Sequence, residues 1–288
     1  MSILVIGGTG TVGSEAVRLL VSMQRSVSVL TRSQPSRLPA GAEARIGDLS
    51  EPDSLAGAFD GIDTVFLITP LSPRETELGL AAVEAAQRAG VRKLVYLTVH
   101  RLDQAAHIPH FGSKLPIVAA IRASKLAYTL IEPNNFFQND LWLQTAIMEH
   151  GVYPQPIGSR GLSRVDVRDI AAAAVRALTE DGHEGRGYAL VGPGAWTGPS
   201  VAQLYSRALG REIRYAGDDL DAWARQAGAS LPDWMVHDLR IMYGHFQERG
   251  LTASAEELEQ THQILGRAPR RLEDFVAETV STWRNRSG

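Results

Sequence analysis

The sequence of 288 residues contains no cysteine, which excludes a disulfide framework, a thiol nucleophile and a thiolate-ligated metal. Lysine is scarce as well. Lysine and arginine together number 29, but the only lysines are Lys93, Lys114 and Lys125. Any reaction that needs an amine side chain must therefore use one of these three residues.

The sequence also lacks a strong net charge and long apolar runs. The net charge is −3, and no cluster of basic residues marks a nucleic-acid surface. No apolar stretch approaches the roughly 20 residues that cross a bilayer, and the apolar run at residues 1–6 leaves no room for a signal peptide before it. We therefore expect a cytoplasmic monomer or homodimer that acts on a small molecule and contacts neither a membrane nor nucleic acid.

Histidines do not form a recognisable metal site. His100, His107 and His110 fall within eleven residues, but their spacing matches no metal-ligand pattern. We therefore expect loop histidines and no metal. His110 stays a candidate acid at the substrate, because an imidazole titrates near neutrality.

What the sequence does contain is a glycine-rich turn near its N-terminus. Residues 1–6 are typical of a buried strand, residues 7–13 read Gly-Gly-Thr-Gly-Thr-Val-Gly, and residues 14–23 have a helical pattern. A turn between a strand and a helix presents backbone N–H groups and the positive end of the helix dipole to a pyrophosphate. A purely structural turn is the alternative. The motif predicts a dinucleotide site that includes Gly7, Thr9, Gly10, Thr11, Val12 and Gly13.

The end of the second predicted strand, residues 26–32, indicates which dinucleotide is bound. An acidic residue there would bind the two ribose hydroxyls of NAD, whereas this chain offers Arg32, with Arg37 a little further on. A guanidinium suits a 2′-phosphate through charge-assisted hydrogen bonds worth about 1.5–3 kcal/mol. We therefore predict NADP(H) in preference to NAD(H). The alternative is that Arg32 is an ordinary solvated side chain.

Strands and helices continue to alternate through the first half of the chain. Apolar runs at residues 44–49, 64–68 and 93–99 are separated by helical patterns at 52–59 and 75–89. This alternation predicts an α/β fold with a doubly wound parallel sheet of the Rossmann type.

The carboxyl ends of these strands are the predicted ligand-binding edge of the sheet. Asp48 could accept a hydrogen bond from the adenine amino group, or it could cap the turn that follows it. The residues that the sequence places at this edge are Asp48, Leu49, Thr69, Pro70 and Thr98.

Together these features resemble the NmrA-like family of atypical short-chain dehydrogenase/reductases, which includes isoflavone-reductase-like and quinone-oxidoreductase-like proteins. The glycine turn, the arginine after the second strand and the Gly-Asp-Leu after the third strand carry part of the resemblance. The rest lies in residues 126–139, 165–171 and 188–193. The resemblance covers nearly the whole chain.

The resemblance implies an NADPH-dependent oxidoreductase that transfers hydride to a small apolar carbonyl, enone or quinone-type substrate. The usual Tyr-x-x-x-Lys pair is absent, because none of the seven tyrosines has a lysine four residues later. By resemblance, Lys114 instead contacts the nicotinamide ribose or donates a proton; a solvated lysine at a helix end is the alternative. The missing tyrosine also leaves open a catalytically inactive NADP(H)-sensing regulator that binds a protein partner.

The composition changes after residue 150, so we expect an NAD(P)-binding Rossmann domain at residues 1–150 and a mainly helical substrate-binding region at 151–288. Strands and a helix of the second region are expected to return to the sheet. The resemblance places Pro133, Asn134 and Phe136 beside the nicotinamide. Aromatic residues are more often part of a core, but the candidate substrate contacts are His110, Phe137 and Trp142.

Overall fold

The computed structural model describes residues 1–34 and 38–287, and the chain divides into two compact units. The first unit contains Met1–Pro133 and Val167–Ala189, and the second contains Asn134–Asp166 and the residues from Leu190 onward. This division differs from the expected boundary at residue 150. Arg37 lies outside the described residues.

One sheet dominates the first unit. The strands of the described chain are β1 (Ser2–Ile6), β2 (Ser26–Thr31), β3 (Ala42–Ile46), β4 (Thr64–Leu67), β5 (Lys93–Leu97), β6 (Ala127–Pro133), β7 (Val152–Tyr153), β8 (Arg186–Leu190) and β9 (Arg214–Tyr215). Seven of them form a sheet in the order β3-β2-β1-β4-β5-β6-β8, and parallel ladders join the neighbours from β3 to β6. The predicted doubly wound parallel sheet is confirmed. In the second unit, β7 pairs with β9.

The strand order reverses direction at β1. Ile6 at the end of β1 is in register with Leu30 of β2 on one side and with Leu67 of β4 on the other. The loops after β1 and β4 therefore flank a topological switch point, which is where open α/β sheets bind their ligands.

Helices cover both faces of the sheet. The helices are α1 (Thr11–Ser22), α2 (Leu55–Phe59), α3 (Glu75–Arg88), α4 (Pro109–Gly112), α5 (Leu115–Ala123), α6 (Gln144–Met148), α7 (Val167–Thr179), α8 (Gly198–Leu209), α9 (Leu220–Ala227), α10 (Asp233–Arg249), α11 (Ala255–Leu265) and α12 (Leu272–Ser287). Buried side chains of α2, α3 and α5 form one apolar cluster with Leu4, Ile6 and Leu67 of the sheet. The alternate residues Ile3 and Val5 are buried too, and α7 packs on α1. No helix of the described residues is both long and apolar enough to span a membrane.

Backbone hydrogen bonds explain why the second unit begins directly after Pro133. Asn134 N donates to Leu190 O at 2.9 Å, and Leu162 N donates to Trp196 O at 3.0 Å. Ser163 N donates to the more distant Leu251 O at 3.0 Å. These bonds join residues 134–166 to the C-terminal part of the chain, while α7 and most of β8 belong with the sheet.

Candidate functional site

At two positions of the turn after β1, backbone atoms leave no room for a side chain. Gly7 has a φ of +77°, and a Cβ there would lie 2.9 Å from the carbonyl oxygen of Ile68. A Cβ at Gly13 would lie 2.2 Å from the carbonyl oxygen of Gly7. Gly10 N closes the turn by donating to Gly7 O at 3.0 Å. Glycine at positions 7 and 13 therefore keeps α1 tight against the end of β1.

Gly10 has a different environment. A Cβ there would meet only the Gly7 carbonyl oxygen, at 3.3 Å, and would otherwise face open space. Gly10 is the N-cap of α1, and no side chain of the described residues caps the helix there. Thr9 and Thr11 beside it are exposed, whereas Val12 is buried. The first N–H groups of α1 and the positive end of its dipole are therefore directed at open space. The turn and this helix start together fit a diphosphate.

Charged side chains of both signs follow the next two strands, β2 and β3. Arg32 is exposed directly after β2. Asp48 follows β3, where its Oδ1 accepts hydrogen bonds from Ser50 N at 2.9 Å and from the Ser50 hydroxyl at 2.8 Å. These bonds lower the pKa of Asp48, and the charges of Arg32 and Arg74 lower it further. The Asp48 carboxylate thus stabilises its own turn beside half-buried Leu49, while its contact with adenine stays a prediction.

Lys114 belongs to a buried cluster. Its ammonium forms an ion pair with Oε1 of Glu75, and its Nζ lies 3.5 Å from the hydroxyl of Thr69. The Thr69 hydroxyl donates to Glu75 Oε1 at 2.6 Å, and the Ser113 hydroxyl donates to Oε2 at 2.9 Å. The side chains of Lys114 and Glu75 are only 12% and 1% exposed. Lys114 is therefore not the solvated lysine of the alternative interpretation.

Helix electrostatics explain this pairing. Glu75 is the first residue of α3, where a negative charge is stabilised by the helix dipole. Lys114 is the N-cap of α5, where the same dipole disfavours a positive charge. The carboxylate of Glu75 therefore compensates an unfavourable position of the lysine. The sequence pattern marked Glu75 only as the start of a helix, because the pairing depends on how two helices pack.

Tyr96 lies beneath this cluster. Its hydroxyl is 3.5 Å from the Thr69 hydroxyl, and its side chain is fully buried. Burial raises the pKa of Tyr96 far above its usual value, and the charge of Glu75 raises it further. Tyr96 therefore stays protonated near neutral pH.

The carboxyl ends of β5 and β6 hold two further predicted residues. Thr98 is buried, and its N donates to Ile131 O at 2.8 Å, while the carbonyl oxygen of Pro133 accepts from His100 N at 3.0 Å. Thr98 and Leu115, which follows Lys114, line the same cavity of about 370 Å³. The structure thus brings Thr98 near the start of α5.

Two other predicted residues lie between strands of the first unit, Pro70 in the loop after β4 and His110 in the short helix α4 and not in the expected loop. Pro70 is exposed after the buried Thr69. His110 is half-buried, and its ring packs edge-on against Phe111 with the ring centroids 4.7 Å apart. No group of three or more histidine and acidic residues in the described chain is arranged to hold a metal ion.

The predicted residues of the second unit have contrasting environments. Asn134 is buried, and its Nδ2 donates to Leu251 O at 2.7 Å. Phe137 is fully buried with its ring centroid 5.6 Å from that of Phe275. Trp142 is 89% exposed. Phe137 is thus a core residue, whose ring has no exposed surface to offer a substrate.

A buried ion pair orders the segment that contains Phe136, another predicted cofactor contact. Arg164 donates to both carboxylate oxygens of Asp140, at 2.8 and 3.1 Å, and both side chains are fully buried. Arg164 also donates to Phe136 O at 2.8 Å and to Asn135 Oδ1 at 3.0 Å. No pattern in the sequence predicts this pair, because the burial of Arg164 depends on the position of Asp140 in the fold.

The strand order, the glycine turn and the arginine after β2 define a dinucleotide-binding protein of the Rossmann type. The NmrA-like family matches residues 1–276 of the sequence. The chain belongs to this family, and the resemblance seen in the sequence is confirmed.

Individual proteins show how far the similarity extends. The NAD(P)H azoreductase of Xenophilus azovorans is 37% identical over 281 residues, which are 95% of this chain and 96% of the relative. The crystal structure of the NADPH-dependent quinone oxidoreductase of Escherichia coli complexed with NADPH has a TM-score of 0.85 at 24% identity and covers 98% of this chain and 100% of the other. The structure of NmrA, a negative transcriptional regulator, in complex with NADP has a TM-score of 0.81 at 18% identity and covers 100% of this chain and 98% of the other. These two structures share the fold of this chain.

Proposed function

We propose that this protein is an NADPH-dependent reductase that transfers hydride to a small apolar carbonyl, enone or quinone-type substrate. The observation that carries the proposal is the 37% identity with an NAD(P)H azoreductase over 95% of this chain. The open N-terminus of α1 supports it, because the turn fits the diphosphate of such a cofactor.

Residues of the first unit would hold the cofactor. The glycine turn and the N–H groups of α1 bind the diphosphate, and Arg32 binds the 2′-phosphate. Thr98 and Lys114 face the nicotinamide ribose. NADPH bound there supplies the hydride, and the protein supplies binding and orientation.

Lys114 is the proposed donor to the substrate oxygen. An ammonium group has three N–H donors, and the contacts of Lys114 within the described chain are to Glu75 and Thr69. One donor is therefore left for a ligand. In this proposal it stabilises the negative charge that develops on the substrate oxygen as hydride arrives from NADPH. The Lys114 ammonium then gives its proton to that oxygen, and water returns a proton to the lysine.

The direct test is NADPH oxidation by the purified protein with a panel of quinones, enones, imines and azo compounds. We expect Lys114→Ala to lower kcat, because the donor is lost, while Lys125→Ala keeps the wild-type rate, because Lys125 is exposed. The two variants remove the same charge, so only position distinguishes them. If the wild-type protein oxidises NADPH no faster than background with every acceptor, the reductase proposal is wrong.

A redox-sensing regulator is the second candidate function. Two observations favour it: Tyr-x-x-x-Lys is absent, and the fold is shared with a transcriptional regulator. The test is to immobilise the protein loaded with NADP or with NADPH and to measure the binding of candidate partners. A partner that binds only one redox form, together with no turnover of any acceptor, would favour the sensor over the reductase.

A further inference from the structure

Helices α3 and α5 approach each other closely next to the Lys114 cluster. A Cβ at Gly79 of α3 would lie 2.2 Å from Cδ1 and 2.7 Å from Cγ1 of Ile117 in α5. One turn earlier in α3, the Thr76 hydroxyl donates to Ser113 O at 2.7 Å. The two helix starts are therefore held in a fixed relation by packing and by a hydrogen bond.

This packing places the Glu75 carboxylate opposite the Lys114 ammonium. Gly79 lies four residues after Glu75, and Ile117 lies three residues after Lys114, so each pair shares one face of its helix. The carboxylate accepts from Lys114, Thr69 and Ser113. With all three bonds made, neither the carboxylate nor the ammonium is free to rotate away.

We infer that Glu75 is a positioning residue that holds the Lys114 ammonium in the orientation needed for reduction. The inference rests on the proposed reductase function. Because Glu75 is almost fully buried and three donors enclose it, it acts through Lys114 and not through contact with substrate. The pair is also electrically neutral, so Lys114 contributes a directed hydrogen bond and not a free positive charge.

The kinetic test uses Glu75→Gln, Lys114→Met and the double variant. Glutamine keeps one acceptor oxygen, so only one of the Thr69 and Ser113 hydroxyls keeps its acceptor. The ammonium then faces either an amide N–H group or a neutral oxygen. We expect Glu75→Gln to lower kcat about 10- to 100-fold, since a displaced catalytic group costs up to about 100-fold. The KM for NADPH is expected to stay within about threefold, because Glu75 is buried and makes no contact with the cofactor in this proposal, while Lys114 keeps its own charge.

The double variant separates positioning from a structural role. If Glu75 acts only through Lys114, Glu75→Gln produces no further loss of kcat in the Lys114→Met background, so the two effects are not additive. Glu75→Asp keeps the negative charge on a side chain that is one methylene shorter, and it is expected to retain more activity than Glu75→Gln.

The control is Glu77→Gln, which is expected to keep the wild-type kcat. Glu77 lies two residues later in α3 and forms an exposed ion pair with Arg74.

Lysine labelling gives a readout that needs no activity. With three lysines in the sequence, brief acylation followed by mass spectrometry reports each one separately. We expect Lys114 in the wild-type protein to react more slowly than exposed Lys125, and Glu75→Gln to accelerate Lys114 alone. The Lys114 labelling rates of the wild type and of Glu75→Gln are compared at a temperature at which both proteins are folded. Thermal unfolding of every variant establishes that temperature.

The outcomes for Glu75 and for the reductase proposal are distinct. The positioning role is overturned if Glu75→Gln has the same kcat as the wild type. It is also overturned if Glu75→Gln lowers kcat by the same factor in the wild-type protein and in the Lys114→Met variant. If the wild-type protein reduces no acceptor, the reductase proposal fails, and labelling decides the orientation of Lys114. An unchanged labelling rate in Glu75→Gln then overturns the inference as well.

Discussion

Gly10 and Gly13 lie in the same turn, but the structure requires glycine at these positions to different degrees. The Cβ of Gly13→Ala would lie 2.2 Å from a backbone oxygen, whereas that of Gly10→Ala would have one contact at 3.3 Å. We expect Gly10→Ala to fold with a Tm near that of the wild type and to bind NADPH at least about tenfold more weakly, a loss of 1.4 kcal/mol. Thermal unfolding and calorimetric titration measure the two effects.

Gly13→Ala is the matched comparison for this prediction. A backbone oxygen cannot move aside as the end of a flexible side chain can. Gly13→Ala is therefore expected to lower the free energy of unfolding by about 1–3 kcal/mol, which is the usual cost of overpacking. NADPH affinity that is unchanged in Gly10→Ala would show that the diphosphate does not approach this residue.

Arg32 is expected to choose between the two nicotinamide dinucleotides. Arg32→Ala removes the proposed partner of the 2′-phosphate, so the Kd for NADPH should rise about 10- to 100-fold, as expected for charge-assisted hydrogen bonds worth 1.5–3 kcal/mol. The Kd for NADH should not change, because NADH lacks this phosphate. Fluorescence titration of the wild type and of Arg32→Ala with each cofactor measures the Kd for NADPH and the Kd for NADH.

The control for Arg32 is Arg25→Ala, which removes the same charge before β2, where Arg25 is also exposed. If Arg32→Ala and Arg25→Ala weaken NADPH binding equally, the loss comes from the change in the net charge of the protein and not from a contact between Arg32 and the 2′-phosphate. Equal losses for NADPH and NADH in Arg32→Ala would also contradict phosphate recognition.

The sequence predicted where in the fold those candidate residues lie that follow directly after a strand, and their contacts with a cofactor stay predictions. The glycine turn and Arg32 belong to this group, because a strand end fixes where each lies. The pairing of Glu75 with Lys114 could not be predicted, since it joins residues 39 positions apart through helix packing. Phe137 and Trp142 show the same limit, because an aromatic residue does not reveal whether it will be buried or exposed.

At the scale of elements, the contact between α3 and α5 predicts a specific coupling. We expect Gly79→Ala to destabilise the protein, because overpacking of about 1–3 kcal/mol exceeds the gain of about 1 kcal/mol from alanine in a helix. Ile117→Val removes the nearest atom, Cδ1. Ile117→Val should therefore cost less stability in the Gly79→Ala background than in the wild type, and urea unfolding of the four proteins measures the coupling.

Gly57 in α2 provides the control for this pair. A Cβ at Gly57 would meet nothing within 4 Å, so Gly57→Ala should be neutral or stabilising by up to about 1 kcal/mol. Additive effects of Gly79→Ala and Ile117→Val would show that the two helices do not depend on this contact.

Element boundaries are clearest where a local residue marks them. Pro116 lies in the first turn of α5, a position that suits proline, and the helix begins at Leu115. The third strand was predicted to reach residue 49 but ends at Ile46. The physical reason is the turn that follows, in which Ser54 Oγ accepts from Asp48 N and Ser50 donates to the Asp48 carboxylate.

At the scale of the molecule, the sequence predicted the doubly wound sheet but not the division of the chain. The sheet is predicted by strand patterns that alternate with helix patterns, and each pattern is contained in a stretch of about 15 residues. The division depends on hydrogen bonds such as Asn134 to Leu190 and Ser163 to Leu251, which join distant parts of the chain. Neither composition nor periodicity carries information about such pairs.

The Arg164–Asp140 ion pair lies within residues 134–166, the first of the two parts of the chain that make up the second unit. Asp140 also accepts hydrogen bonds from Tyr153 and, in the C-terminal part, from Tyr205, both at 3.2 Å. Burial raises the pKa of both tyrosines well above the usual value, so they stay protonated donors at neutral pH. The carboxylate is thus enclosed by donors from both parts.

Arg164→Met should be strongly destabilising, because it leaves the Asp140 carboxylate buried without its counter-ion, at a cost of about 3–5 kcal/mol. Arg240→Met is the control, since Arg240 pairs with Asp221 where the side chains are 46% and 70% exposed, and such pairs contribute under about 1 kcal/mol. Differential scanning calorimetry should show a much larger fall in Tm for Arg164→Met. Adding Asp140→Leu should recover part of the loss, because no unpaired charge then remains. Equal falls in Tm for Arg164→Met and Arg240→Met would show that the second unit does not depend on the buried pair.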